Sequence, residues 1–451
     1  MSGAEDGGTV PPRARARARA YIEPWYFAYA LLGVTVVGGI PILFPLKAAL
    51  AGSPSYVGIV MGAFNLGSVV APLCGALADR YRLHRLLLAA GMVVTGAAVL
   101  AFAVVSQAPA LTWLALLAGA GAAAATTIPY LLVVEAHPEA EWALRIGSLQ
   151  TLYGAGQVAG LVASGIMSQA DLRGGLVLDG GLTMAAAIPA WVCSRTPPRQ
   201  AGAASTSAGA VTAPARSERS AAQLPASRVE HGPGNMHRHF HLGRPGIFRD
   251  LRPVLASPFG VFLLAWVLAF AGSAAYFTVY PVLMARTFRI DPDTSSLAYA
   301  AAVAISLLLY RPAGAWTKRI GSAAMVRRGF IIRLACLVAL SALAAWRLAG
   351  RGLLAEAAFA AFVGAWTILS VSGTALAAQR SPVGEGSGMG LFNAASAAAG
   401  VLGAVFAGWA AATWGYGAVP VVGGACVACG VAVTIADGAR RKRRIATPSR
   451  A

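Results

Sequence analysis

The stretch "GALADRYRLHRLL", Gly75–Leu87, sets one acid, Asp79, and three arginines, Arg80, Arg82 and Arg85, between two apolar runs at 56–78 and 86–105. Each run is about 20 residues long, enough to cross roughly 30 Å of hydrocarbon as a helix. A short charged connection between two such runs is the pattern of a membrane-spanning helical hairpin. In lipid the backbone must satisfy its own hydrogen bonds, and charge belongs at the surface.

Working outward, the same kind of run recurs at 25–47, 110–134, 147–168, 176–194, 257–281, 297–316, 329–347, 353–377, 388–410 and 416–437. The runs are continuously apolar and do not alternate, which excludes the strands of a barrel. The expected fold is therefore all-α: a polytopic membrane protein of twelve transmembrane helices in two pseudo-symmetric six-helix bundles. Composition agrees, with 57% hydrophobic and 12% charged residues and a mean hydropathy of +0.65 over 451 residues.

The first bundle is expected at 21–194 and the second at 253–437. Residues 1–20 and 438–451, the latter opening onto "RRKRR", read as basic tails without apolar periodicity. Between the bundles, 195–252 is rich in Ala, Ser, Pro and Arg and reads as a linker. The apolar segment after "RARARARA" is too long for a signal peptide and is expected to be retained as the first helix.

The formal net charge of +19 is distributed unevenly. Of the 36 Lys and Arg, only Lys47, Arg173, Arg286, Arg289, Arg347 and Arg351 fall in the loops of one side, and the other 30 lie on the opposite side or in the tails and linker. By the positive-inside rule both termini and the linker are cytoplasmic. The basic residues are not interleaved with aromatics in a folded module, so nucleic acid is not expected as a partner.

The five cysteines fall in or at the ends of the runs and form no disulfide framework. "HRHFH" places His237, His239 and His241 at alternate positions of the linker without a Cys or acidic ligand, so no metal and no cofactor is expected. The Ala, Arg and Gly excess with only three lysines suits a bacterial protein of an inner membrane.

A second-half echo of the opening motif follows the eighth run, "GAWTKRIGSAAMVRR" from Gly314. Twelve runs, a central linker, Gly75, Leu77, Asp79 and Arg80 in one motif, and "RPAG" at Arg311–Gly314 together resemble the major facilitator superfamily of secondary transporters. The resemblance spans about 21–437. Two positions depart from it: Arg82 stands where the family usually has glycine, and Lys318 stands where the echo would carry its acid.

The resemblance implies a gate. Asp79 would face the positive N-terminal end of the eleventh helix, which opens at "GEGSGMG", and would tie the halves together on the cytoplasmic side. Gly75 would let the second helix approach closely, with Arg80, Arg311 and Gly314 completing the element. Lys318 and Arg319 would meet the acidic stretch with Glu135, Glu139 and Glu141, so that ion pairs replace the missing dipole contact.

The resemblance also puts the substrate near the midplane, between the halves. Gln150, Tyr153 and Gln157 share one helical face, as do Ser273, Tyr276 and Tyr280; Asn65, Thr126, Tyr130, Trp366, Thr367 and Asn393 add candidates. These residues describe an uncharged, aromatic-lined cavity for a small neutral or amphipathic organic compound; a phosphate or dianion would call for arginines at mid-depth. "YGAGQVAGL" from Tyr153 partly resembles the fifth-helix signature of antiporters, which favours efflux over import.

Asp179 and Glu356 are the acids inside runs, both near the outer ends. Glu356 is the candidate for proton coupling, unless it pairs with Arg347 or Arg351. The partners expected are the substrate and the bilayer, and the chain is expected to act as a monomer. An integral-membrane enzyme would need a His/Asp metal cluster, a diphosphate motif or a nucleophile elbow, and the runs carry none of these.

Overall fold

The computed structural model describes residues 22–137, 139–194, 254, 256–346, 350–382 and 385–446. The first tail, the linker with its histidines and the last residues of the second tail lie outside them. Among the described residues there is no strand.

Helices coincide with all twelve expected runs. They are α1 (Trp25–Ala51), α2 (Pro54–Gly67 and, past a 3-10 turn, Ala71–Tyr81), α3 (His84–Val104), α4 (Ala108–Ala136), α5 (Glu139–Ala170) and α6 (Leu172–Cys193). The second half holds α7 (Pro258–Leu283), α8 (Pro292–Ile320), α9 (Ser322–Ala345), α10 (Arg351–Arg380), α11 (Glu385–Trp414) and α12 (Val419–Ala446). Ten of these spans are long and apolar enough to cross a membrane; α2 is interrupted and α5 is more polar. The chain α12 runs on to Ala446, so the basic "RRKRR" is the end of a helix and not a separate tail.

Helix starts follow their sequence signals. Ser257 accepts from the amides of Phe259 and Gly260 to cap α7, with Pro258 at its first position. Connections are as short as Gly321 between α8 and α9 or Asp171 between α5 and α6, which forces neighbours to run antiparallel. The start of α1, the α2–α3 and α8–α9 connections and the end of α12 therefore share one face, the termini face.

The α2–α3 connection turns on Arg82, whose φ of 56° is left-handed; the α8–α9 connection turns on Gly321, with φ of 92°. Both stand seven residues after the glycine that opens their motif, Gly75 and Gly314. The substitution of Arg82 for the family's glycine thus falls on a backbone position that glycine adopts at no steric cost.

Small residues carry the helix crossings, as they must where lipid removes the hydrophobic drive. The α1 helix widens into a π-helical segment at Val34–Gly39, where Gly38 lies against Gly160 of α5 and Gly39 against the carboxylate of Asp179 on α6. Thr35 donates to the Asp179 carbonyl at 2.9 Å and accepts from Thr183 at 2.7 Å, fixing the same crossing.

Two seams join the halves of the chain. Along α5 and α8, Gln169 donates to Asp293 at 2.7 Å, Ser296 donates to the Leu161 carbonyl, and a side chain on Gly154 would touch Leu307. Further toward the termini face, nothing among the described residues lies within 4 Å of where a Cβ on Gly147 or Gly314 would stand. Along α2 and α11, Gly58 meets Ala404 and Gly408, and the Asn65 amide reaches the Gly400 carbonyl at 3.5 Å. Among the described residues, the α5–α8 seam is zipped at the face opposite the termini and makes no such contact at Gly147 and Gly314.

Candidate functional site

The gate residues divide by what is described. The side chains of Asp79, Arg80, Arg311 and Glu135, and the surroundings of Gly75, lie outside the described residues. Gly314 borders open space, and Lys318 and Arg319 are exposed beside it. Glu141 accepts from Arg145, one turn along its own helix, at 2.9 Å. Its described partner thus lies within α5.

Arg145 also bonds Glu23 at 3.0 Å, and Glu23 accepts from the Trp25 indole and sits 2.8 Å from His137. This network ties the termini-face ends of α1, α4 and α5 into one unit. Arg380 and Asp437, 3.1 Å apart, do the same for α10 and α12.

In the first half the structure brings Tyr130 and Tyr153 together through a residue the sequence reading passed over, Tyr29 of α1. Tyr29 stacks on Tyr153 with centroids 4.6 Å apart and reaches the Tyr130 hydroxyl at 3.5 Å. The signal was present in "WYFAY", where Tyr29 lies one turn after Trp25 and Tyr26. Thr126 turns inward on its own helix, donating to the Ala122 carbonyl at 2.7 Å. Gln157 is half-buried beside the α1 crossing, whereas Gln150 and Asn393 are exposed.

In the second half Ser273 is spent on the Ala269 carbonyl and Thr367 on the Ser306 carbonyl. Tyr276 and Tyr280 are fully buried in a cluster of rings, with Tyr280 stacked on Phe359 at 3.8 Å. The Tyr280 hydroxyl lies 2.8 Å from the Ser295 carbonyl and 3.0 Å from Oε2 of Glu356, joining α7, α8 and α10. Arg351 donates to the Thr287 carbonyl, so the described partner of Glu356 is Tyr280 and not that arginine. The other oxygen of Glu356 is buried without a partner among the described residues.

Trp366 lies beside a residue that changes the electrostatics of the site. Arg333 of α9 is 1% exposed, and its guanidinium carbon lies 4.5 Å from the ring centre of Phe362, 5.5 Å from Trp366 and 5.8 Å from Phe277. All three of its nitrogens lack a hydrogen-bond partner among the described residues. The expectation that no arginine stands at mid-depth is thereby corrected. It arose because the ninth run was drawn from 329, which puts Arg333 in its first turn; α9 begins at Ser322, which puts Arg333 at its centre.

Comparison with known proteins follows this geometry. The sequence profile described as Major Facilitator Superfamily matches residues 25–228. No curated protein sequence matches the chain. Among solved structures, an aspartate-to-alanine mutant of the nucleoside transporter NupG is 12% identical with a TM-score of 0.69, the match covering 93% of this chain and 99% of that one. A bacterial homologue of the human lysosomal transporter Spinster, inward-facing and unoccupied, is 14% identical with a TM-score of 0.60, covering 96% of each chain. At such identities the likeness speaks for the fold, and it runs through both halves. With the apolar helices, it follows that the chain is a multi-pass membrane protein with the fold of these transporters, and that its residues 25–228 match the Major Facilitator Superfamily profile.

Proposed function

We propose that the protein moves a small amphipathic organic compound out of a bacterial cell across the inner membrane by alternating access, with both termini in the cytoplasm. The observation that carries this reading is the α5–α8 seam, joined from Gln169 to Leu307 and, among the described residues, without a neighbour at Gly147 and Gly314, which we read as parted there. A bundle held shut at one end and open at the other is one of the two states that alternating access requires. The arginine-rich loops lie on the parted side, so in this reading the open mouth faces the cytoplasm. The partly exposed rings of Tyr153, Phe277 and Trp366 offer apolar area, with the Tyr153 hydroxyl and the Trp366 indole N–H as polar edges, suited to a compound that has both.

Glu356 serves this cycle as the proton carrier. One phenolic hydrogen on Tyr280 cannot serve both the Ser295 carbonyl and the carboxylate, so a proton arriving on Glu356 completes the set. Taken up from the outer side, that proton is released toward the cytoplasm, which would break the set and loosen the joint between α7 and α10.

The test is uptake of fluorescent amphipathic compounds into inverted vesicles carrying the protein, with and without a pH gradient. Accumulation in wild-type vesicles that a protonophore abolishes, and that Glu356→Gln makes insensitive to the gradient, is the expected result. Uptake only into right-side-out vesicles would reverse the direction, and gradient-independent uptake by the wild type would remove Glu356 from the cycle.

A further inference from the structure

A guanidinium keeps its charge under all ordinary conditions, so a buried one needs an anion. In Arg333 five N–H donors are held at the centre of a membrane-spanning helix with no acceptor among the described residues. Three rings surround them, and a ring face offsets only part of the lost hydration.

The described acids of the second half are out of position. Glu356 stands six residues before Phe362 and ten before Trp366 on α10, which is about 9 Å and about 15 Å along the axis from the two rings that frame the guanidinium. It is bonded to Tyr280, and its unpartnered oxygen and the unpartnered guanidinium do not meet. Asp437 is held by Arg380. Asp291 and Asp293 sit at the start of α8, on the face opposite the termini, and Asp293 is engaged by Gln169. Among the described residues, the helices packed around Arg333 thus offer it no carboxylate.

Two of its three ring neighbours, Phe277 and Trp366, are only half-buried, so the rings that frame Arg333 keep part of their surface open. From these observations we propose that Arg333 binds the anionic group of the substrate: the transported compound is an amphipathic monoanion, a carboxylate or sulfonate on an aromatic or apolar body. The fork of the guanidinium takes the two oxygens side by side, and Phe277, Phe362 and Trp366 take the body next to it. This rests on the reading of an amphipathic cargo and narrows it; a neutral compound would bring the guanidinium no anion.

The test uses purified full-length protein in detergent and matched probes that differ only in charge: 1-naphthaleneacetate with 1-naphthaleneacetamide, and 4-phenylbutyrate with 4-phenylbutyramide. Binding is read as the ligand-dependent rise in melting temperature. The carboxylates are expected to stabilise the wild type and the amides to do so at least about tenfold more weakly, the range for losing a charged hydrogen bond. Arg333→Met is expected to abolish that preference while leaving the unliganded protein as stable or more stable, since it removes an unpaired buried charge. Arg333→Lys, with the charge but no fork, falls between the two.

Equal binding of acids and amides by the wild type overturns the anion site but leaves the amphipathic cavity standing. No binding of either member of a pair overturns both. A methionine variant that melts lower yet keeps the wild-type preference for carboxylates assigns Arg333 a structural role and overturns the proposal.

Discussion

At the scale of single residues, Arg82 shows how a departure from a motif becomes physical. Its φ of 56° costs a side chain about 1 kcal/mol or more, and the matching turn in the second half keeps glycine at Gly321. Arg82→Gly is therefore expected to raise stability by roughly 1 kcal/mol, read as a higher melting temperature in detergent. A lower one would mean that the exposed Arg82 side chain makes contacts worth more than the strain. The motif around it was legible because its meaning lies in the letters: an acid and basic residues between apolar runs have few other readings. Arg333 was not legible for the opposite reason. Its meaning depends on depth, and depth depends on where a helix begins, which "GSAAMVRRGF" conceals by carrying two further arginines, Arg327 and Arg328, just ahead of the apolar run.

At the scale of elements, twelve helices were legible from length and hydropathy, but their irregularities were not. The π-helical segment Val34–Gly39 sits inside an unbroken apolar run, and periodicity cannot register one added residue per turn. What places it there is a contact 140 residues away in sequence, the seat of Asp179 against Gly39. A Cβ on Gly39 would fall within that carboxylate, while Oδ2 of Asp179 has no partner among the described residues. Gly39→Ala is accordingly expected to destabilise by about 1–3 kcal/mol, the usual cost of overpacking. In an Asp179→Ala background most of that cost should vanish, because the obstacle is gone; thermal unfolding of the four proteins of the cycle measures it. An unchanged cost in that background would mean that Gly39 is required for the π-helical backbone itself.

For the whole molecule, the question is which state the seams describe and how the chain leaves it. Large exposed tryptophans lie near helix ends on both faces, Trp113, Trp346 and Trp414 at one and Trp191 and Trp316 at the other, as belts at two membrane interfaces require. Between the belts, closure at one face and separation at the other give a rocking motion a definite signature. Gln169→Cys with Asp293→Cys joins positions already in hydrogen-bond contact, whereas Gly147→Cys with Gly314→Cys lies across the parted end. In a background with the five native cysteines replaced, the first pair is expected to cross-link readily and the second slowly. The latch proposed for Asp79 supplies the means of reversing that order. If it holds the termini-face ends of α2 and α11 together in the alternate state, Asp79→Asn weakens that state and slows the second cross-link further, while the first is unchanged or faster. A second cross-link that forms equally fast with Asn at this position would remove Asp79 from the latch and leave the arginines of the loop to topology alone. The exchange of rates, rather than either rate by itself, is the decisive quantity, since local mobility would speed both pairs and only a rigid rocking of one half against the other trades one for the other.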